Sequence, residues 1–296
     1  MNQCYLHANF RWLAIHVLPK KEVAAGSAYL AISLSAHGLS YLLDAHLAQN
    51  PDTPLDQRNA AGWTALQMSA PFGFPVISAF LLRKGASIEL PGFIARSPLA
   101  TATRHNQLHV ASFLLSQGAR LESRDVHGRT PLLSASRHGK LDVVQLLVNA
   151  GADLQAQDSW RNTALTLAAF HGRHETEFIL KRGALVDSSD RTRRTPIMDA
   201  ASNGYSSIVS LLLAHGADTE LVDDDGKIAA TIAEEQGYGT IAQILPQSAL
   251  SSSRLKTASV QRPGDQQHKA EHTITSVIQI QQLSGLHVFG RTRASG

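Results

Sequence analysis

The chain has 296 residues, 43% of them hydrophobic and 17% charged, with a net charge of +3 at neutral pH. That much apolar material builds a sizeable core, and so small a net charge excludes a chain drawn to nucleic acid by its sign alone. One cysteine, Cys4, excludes an internal disulfide framework and fits a reducing compartment; with no targeting segment visible, cytoplasm or nucleus is the expected location.

Residues 1–21 form an N-terminal extension, with a short apolar stretch from Trp12 to Leu18 ahead of Lys20 and Lys21. The stretch is too short and interrupted for a signal peptide or a membrane span, and is expected to pack loosely on the unit that follows. From about 22 to 58 that unit reads as a cap. Tyr29-Leu30-Ala31 and His37-Gly38 outline one helix and its stop, and Leu42, Leu43 and Leu47 a second.

A short phrase then recurs. It opens at Thr64, Ser97, Thr130, Thr163 and Thr195, in steps of 33, 33, 33 and 32 residues, each time followed by Pro or Ala and then Leu or Ile. A second marker, Gly-Ala, returns at Gly85, Gly118, Gly151, Gly183 and Gly216. A fixed period of this length predicts a stacked array that works through its outer surface. The repeats run about 59–91, 92–124, 125–157, 158–189 and 190–222, within a domain spanning 22–246.

In the clearest copy, Gly128 supplies a turn, Thr130 caps a helix and Pro131 takes its first position. That helix stops at His138-Gly139, and a second carries Val143, Val144, Leu146 and Leu147 at helical spacing, with Leu146 expected in the core. After Gly151-Ala152 an extended hairpin finger leads to the next copy. Five positions past each opening stands Ser69, Ala102, Ala135, Ala168 or Ala200, small enough for helices to approach closely. The fourth copy is one residue short between Gly172 and Gly183. Counted from the preceding glycine, Ile179-Leu180 align with Leu146-Leu147, which predicts the deletion around Lys181-Arg182.

The period, the Thr-Pro-Leu opening and the Gly-Ala close resemble the ankyrin repeat, strongly over about 59–219 and with degenerate ends over about 22–246. The resemblance implies an all-α ankyrin-repeat α-solenoid, made of helix–turn–helix pairs with projecting β-hairpin fingers, and protein–protein recognition as the general activity. The histidine usual after Thr-Pro-Leu is replaced by Gln67, Ala100, Leu133, Thr166 and Met198, which predicts a weaker hydrogen-bond network between neighbouring repeats.

Residues 223–246 read as a closing cap, with Asp223-Asp224-Asp225 and Glu234-Glu235 supplying the polar end that an array needs. Residues 247–296 are rich in Ser, Gln, Arg and His and are expected to be disordered. A β-like alternation from Thr273 to Leu283 is the one feature there that could serve as a docking motif.

No catalytic constellation is present in the pattern: no Gly-x-Ser-x-Gly elbow, no phosphate loop and no His-Glu-x-x-His. No enzyme activity, catalytic residue, cofactor or metal is expected. His171, His174 and Glu175 mimic a metal trio, but His171 occupies the same helix-end slot as His138, where an imidazole can cap carbonyls. The fingers are richer. Arg124, His127, Arg129, Trp160, Arg161, Arg191, Arg193 and Arg194 stand against Asp125, Asp158 and Asp190, and Trp and Arg are the residue types enriched in binding hot spots. Arg104, Arg137 and Phe170, each seven positions past its opening, extend the candidate surface onto the first helices. Trp160 is read as an unpacked finger-tip contact.

The expected function is a non-catalytic scaffold or adaptor, a monomer whose partner is a protein with an acidic surface or segment, with neither nucleic acid nor membrane expected. The alternatives are a nuclear transcription co-regulator and a substrate receptor of a ubiquitin ligase.

Overall fold

The structure is a computed structural model that describes residues 26–245. The extension 1–21 with Cys4, the first residues of the cap, and the tail with its Thr273–Leu283 stretch lie outside the described residues. Among those described, the chain forms helices in pairs and no strand. The pairs are α1 (Gly26–Ala36) with α2 (Ser40–Gln49), α3 (Ala65–Phe72) with α4 (Pro75–Arg83), α5 (Pro98–Arg104) with α6 (Leu108–Ser116), and α7 (Pro131–Arg137) with α8 (Leu141–Asn149). They continue as α9 (Ala164–Phe170) with α10 (Glu175–Lys181), α11 (Pro196–Ser202) with α12 (Ser206–Ala214), and α13 (Ala229–Glu235) with α14 (Gly239–Ile244).

Each first helix starts where the sequence provides a cap. The hydroxyls of Thr64, Ser97, Thr130 and Thr163 accept from the amides of Gln67, Ala100, Leu133 and Thr166, each stabilising its helix by about 1 kcal/mol. Thr195 has the same extended backbone without the bond, and its Oγ1 is left buried and unpartnered. The stop between helices needs glycine for two reasons at Gly172. Its φ is 66°, and a Cβ there would fall 2.7 Å from the ring of Tyr205, the next repeat's aromatic, which seats itself on the turn.

Ser69, Ala102, Ala135, Ala168 and Ala200 are fully buried, and the first helices pack closely on one another along the array. The second helices touch their neighbours more loosely, so the stack curves with the first helices on its inner side. The apolar core falls into two clusters, one from Ala31 to Ala119 and one from Leu132 to Leu245. Between them α5 and α7 pack directly on one another, and Thr101, Thr103, Ser134 and Ser136 are buried on these two helices.

Two local expectations change. Leu146 is only partly buried and Leu147 is the core residue, fully enclosed. The deletion in the fourth repeat also moves. The amide of Ala184 bonds to Ile179 O as Ala152 bonds to Leu147 O, so Ile179 matches Leu147 and the missing residue lies before α10, near His174. Registers counted from the two ends of the segment disagree, and the core selects the one that buries Ile179.

One consequence falls on Glu175. Its slot holds Ile77, Val110, Val143 and Ile208 in the other repeats, all buried. Glu175 is 1% exposed and its Oε1 has no partner. Burial pushes its carboxyl above the usual range, against the pull of its own amide, Arg173, His174 and Lys140. Glu175→Val should therefore stabilise the fold, by about 1–3 kcal/mol. Urea denaturation of both proteins at neutral pH checks this, and a less stable variant would mean the carboxylate is held by bonds that the valine cannot replace.

Candidate protein-binding surface

Among the described residues the fingers carry no strand: each is a tight loop closed by one backbone bond, as from Asp125 N to Arg129 O at 3.1 Å, and most are built on one side chain. Asp125 Oδ1 accepts the amides of His127 (2.9 Å) and Arg129 (3.0 Å), and Asp158 Oδ1 those of Trp160 and Asn162 (both 2.9 Å). Asp190 and Asp223 repeat the arrangement with Thr192 and Arg194, and with Asp225 and Lys227. A carboxylate that satisfies two tip amides makes a strand ladder unnecessary. Neighbouring fingers are joined by one backbone bond each, as from Ser159 N to His127 O and from Arg191 N to Trp160 O (both 2.9 Å).

The second finger solves the same problem differently. Gly92 stands at the aspartate position, and Gln67 reaches across from α3, donating to Arg96 O at 2.7 Å and Leu90 O at 3.1 Å. Thr101 of the next repeat donates to Gln67 Oε1 at 3.2 Å. At this junction the residue that replaces histidine supplies an inter-repeat network, contrary to the weakening expected.

These bonds decide what each candidate side chain is available for. Asp125 and Asp158 are buried, and each receives an arginine from the finger before it: Arg96 Nε lies 3.7 Å from Asp125 and Arg129 Nε 3.9 Å from Asp158. Arg194 joins Asp223 and Asp199, both at 3.8 Å. Arg124 bridges Gly128 O and Gln157 O. Arg124, Arg129 and Arg194 thus tie the array together, and the aspartates that counted against the finger arginines are consumed inside it.

Arg161, Arg191 and Arg193 point to solvent. Arg161 and Arg193 adopt left-handed backbone, φ 65° and 60°, at the tip position where other fingers carry Gly62, Ala95, Gly128 and Gly226. An arginine in place of glycine there costs roughly 1–2 kcal/mol. Trp160 is 44% exposed, and the rest is covered: the Arg129 guanidinium lies 5.4 Å from its ring and the His127 ring is tilted against it at 5.5 Å. The expected unpacked tryptophan is half of an internal cation–π contact with one face open.

Arg104, Arg137 and Phe170 occupy matching positions on α5, α7 and α9, apart from the finger tips, with Phe170 43% exposed. Beside them run His105, His138 and His171. His138 Nδ1 bonds to Ser134 O at 2.8 Å, the capping role expected, whereas the His171 ring packs edge-on against Phe170 at 5.0 Å. All three imidazoles are pushed below the usual histidine range, first by burial and then by surrounding cations. Arg96, His105 and His138 were missed as members of this surface; the signal was their 33-residue offset from Arg129, His138 and His171.

The comparisons agree with this architecture. A model of ankyrin repeats matches in three overlapping copies, at residues 92–158, 122–187 and 153–223. Among curated proteins, a putative E3 ubiquitin-protein ligase of Arabidopsis thaliana, XBAT34, is 39% identical over 51 residues, which is 17% of this chain and 14% of that protein.

Proposed function

The chain belongs to the ankyrin-repeat family, whose repeats serve protein–protein interaction, and we propose that it works as a non-catalytic adaptor. In this reading, a protein partner docks on the finger tips of the fourth and fifth repeats and the adjoining first-helix face. The observation that carries the reading is the pair Arg161 and Arg193. Both hold the left-handed backbone that Gly62, Gly128 and Gly226 take at the same tip position, shared among side-chain-bearing tips only with the small Ala95, and neither makes an ion pair among the described residues. Strained, solvent-facing arginines beside a half-open tryptophan do nothing for the fold and suit a partner's surface.

The test is capture from a lysate of the source cells by the full chain, in parallel with Arg161→Glu/Arg191→Glu/Arg193→Glu. The variant should melt at the same temperature and retain roughly a tenth or less of the partner, as loss of hot-spot contacts implies. Equal retention by both would remove the finger tips from the site. A second reading, a substrate-recruiting component of a ubiquitin ligase, draws on the partial similarity to XBAT34. It expects the captured protein to lose ubiquitin conjugates when this chain is depleted.

A further inference from the structure

Arg104 and Arg137 stand on the inner layer of the array and make no ion pair among the described residues. Among the described residues the arginine–carboxylate pairs are those of Arg96, Arg129 and Arg194, and neither Arg104 nor Arg137 joins one. Their surroundings are cationic. The depressed imidazole of His138 feels Arg104, Arg137 and Lys140; that of His105 feels Arg104, Arg96 and Lys140; that of His171 feels Arg137, Arg173 and Arg129. Arg137 itself is pushed down by burial, then by Arg129 and Arg104, with only Asp158 opposing. Arg96 and Arg129 are offset by Asp125 and Asp158, whereas Arg104 and Arg137, partly buried side by side on successive helices, have no ion-pair partner among the described residues, and an anion would satisfy them.

Spacing says what kind of anion. The two arginines and Phe170 hold the same position on successive first helices, which pack directly on one another. Packed helices lie roughly 8–10 Å apart. An extended chain advances about 3.3 Å per residue, so every third side chain of a bound strand meets the next helix. We propose that the inner face of α5, α7 and α9 takes an extended acidic segment of a partner protein. That segment presents carboxylates to Arg104 and Arg137 and a large apolar side chain to Phe170, at three-residue intervals.

The chain's own ends do not suit the site. Residues 247–296 carry Arg254, Lys256, Arg262, Lys269, Arg291 and Arg293 against Asp265 and Glu271, and residues 1–25 carry Arg11, Lys20 and Lys21 against Glu22. Like charge excludes both, which leaves a foreign segment.

This inference rests on the adaptor reading and deepens its first-helix part, which the finger-tip variant leaves untouched, so the failure of the finger-tip site and the failure of this one are distinguishable. The probes are fluorescein-labelled peptides with two Glu and one Leu at three-residue intervals in a Gly/Ser background, made in both chain directions. A control has the same composition with the Glu and Leu adjacent, and a second is a single-stranded oligonucleotide of equal charge. Fluorescence anisotropy with the full chain should show one spaced peptide binding several-fold tighter than the adjacent control, with an affinity that falls as salt rises. Arg104→Gln/Arg137→Gln should cost about tenfold or more, at unchanged helix content, while the finger-tip triple variant leaves the affinity intact. Equal binding of spaced and adjacent peptides, or no loss in the Arg104/Arg137 variant, overturns the proposal. An oligonucleotide that binds tighter than either peptide replaces it with a nucleic-acid surface. Loss of peptide binding in the finger-tip variant instead would move the acidic segment to the fingers.

Discussion

Replacing Asp199 by Asn is expected to remove most of one pH dependence of folding. Asp199 lies in α11, 4% exposed, at a position that holds Met68, Thr101, Ser134 and Leu167 in the preceding repeats. Burial pushes its carboxyl up to about 7, with Asp190 adding to the effect and Arg194, 3.8 Å away, opposing it. The folded protein therefore holds this proton more tightly than the unfolded chain does. Stability from this group is complete below about pH 4 and is lost as pH rises towards 7. From the ordinary 3.8 to about 7, the change amounts to roughly 4 kcal/mol between the protonated and ionised limits. Asn keeps the shape and carries no charge. The stability difference between wild type and Asp199→Asn should thus move by about that amount between pH 4 and pH 8, in favour of the variant at the higher pH. Urea titrations at both pH values measure it; a constant difference would mean that Arg194 neutralises the carboxylate fully.

Leu147→Ala is expected to cost about 2–5 kcal/mol, because the side chain is fully buried and its neighbours can only partly close the cavity. In a stacked array the damage is local at first. Amide exchange should rise in α7 to α10 before it rises in α3 or α13, since each repeat contacts only its neighbours. Uniform loss of protection across every helix would show instead that the whole array opens as one unit.

Much of the architecture was legible because it repeats. A cap hydroxyl, a proline and a left-handed glycine recur at one spacing, and each occurrence corroborates the others. What one copy did alone was harder to see. Nothing in the periodic pattern tells which of two registers a shortened repeat takes; the structure sets the fully enclosed Ile179 in the place of Leu147, and a buried Glu175 follows from it. The finger arginines were all visible, but not their division of labour. Arg129 and Arg194 look like Arg161 and Arg193 in sequence, and only the three-dimensional offset between one finger and the next aspartate separates tie from tip. The Arg104, Arg137 and Phe170 column was found by register, while the cationic environment that gives it meaning comes from side chains scattered over four loops.

The division of the apolar core into two clusters bears on how this chain is made as well as on how it stands. The buried members of the first cluster end at Ala119, and of the partly buried residues packed on it only Leu146 comes later in the chain. Chains emerge from the ribosome at about 5–20 residues per second, far more slowly than helices form and pack. The leading half can bury its apolar surface while the trailing half is still being translated. The second half then adds to a face that already has its own closed cluster behind it, so the order of assembly follows the order of synthesis.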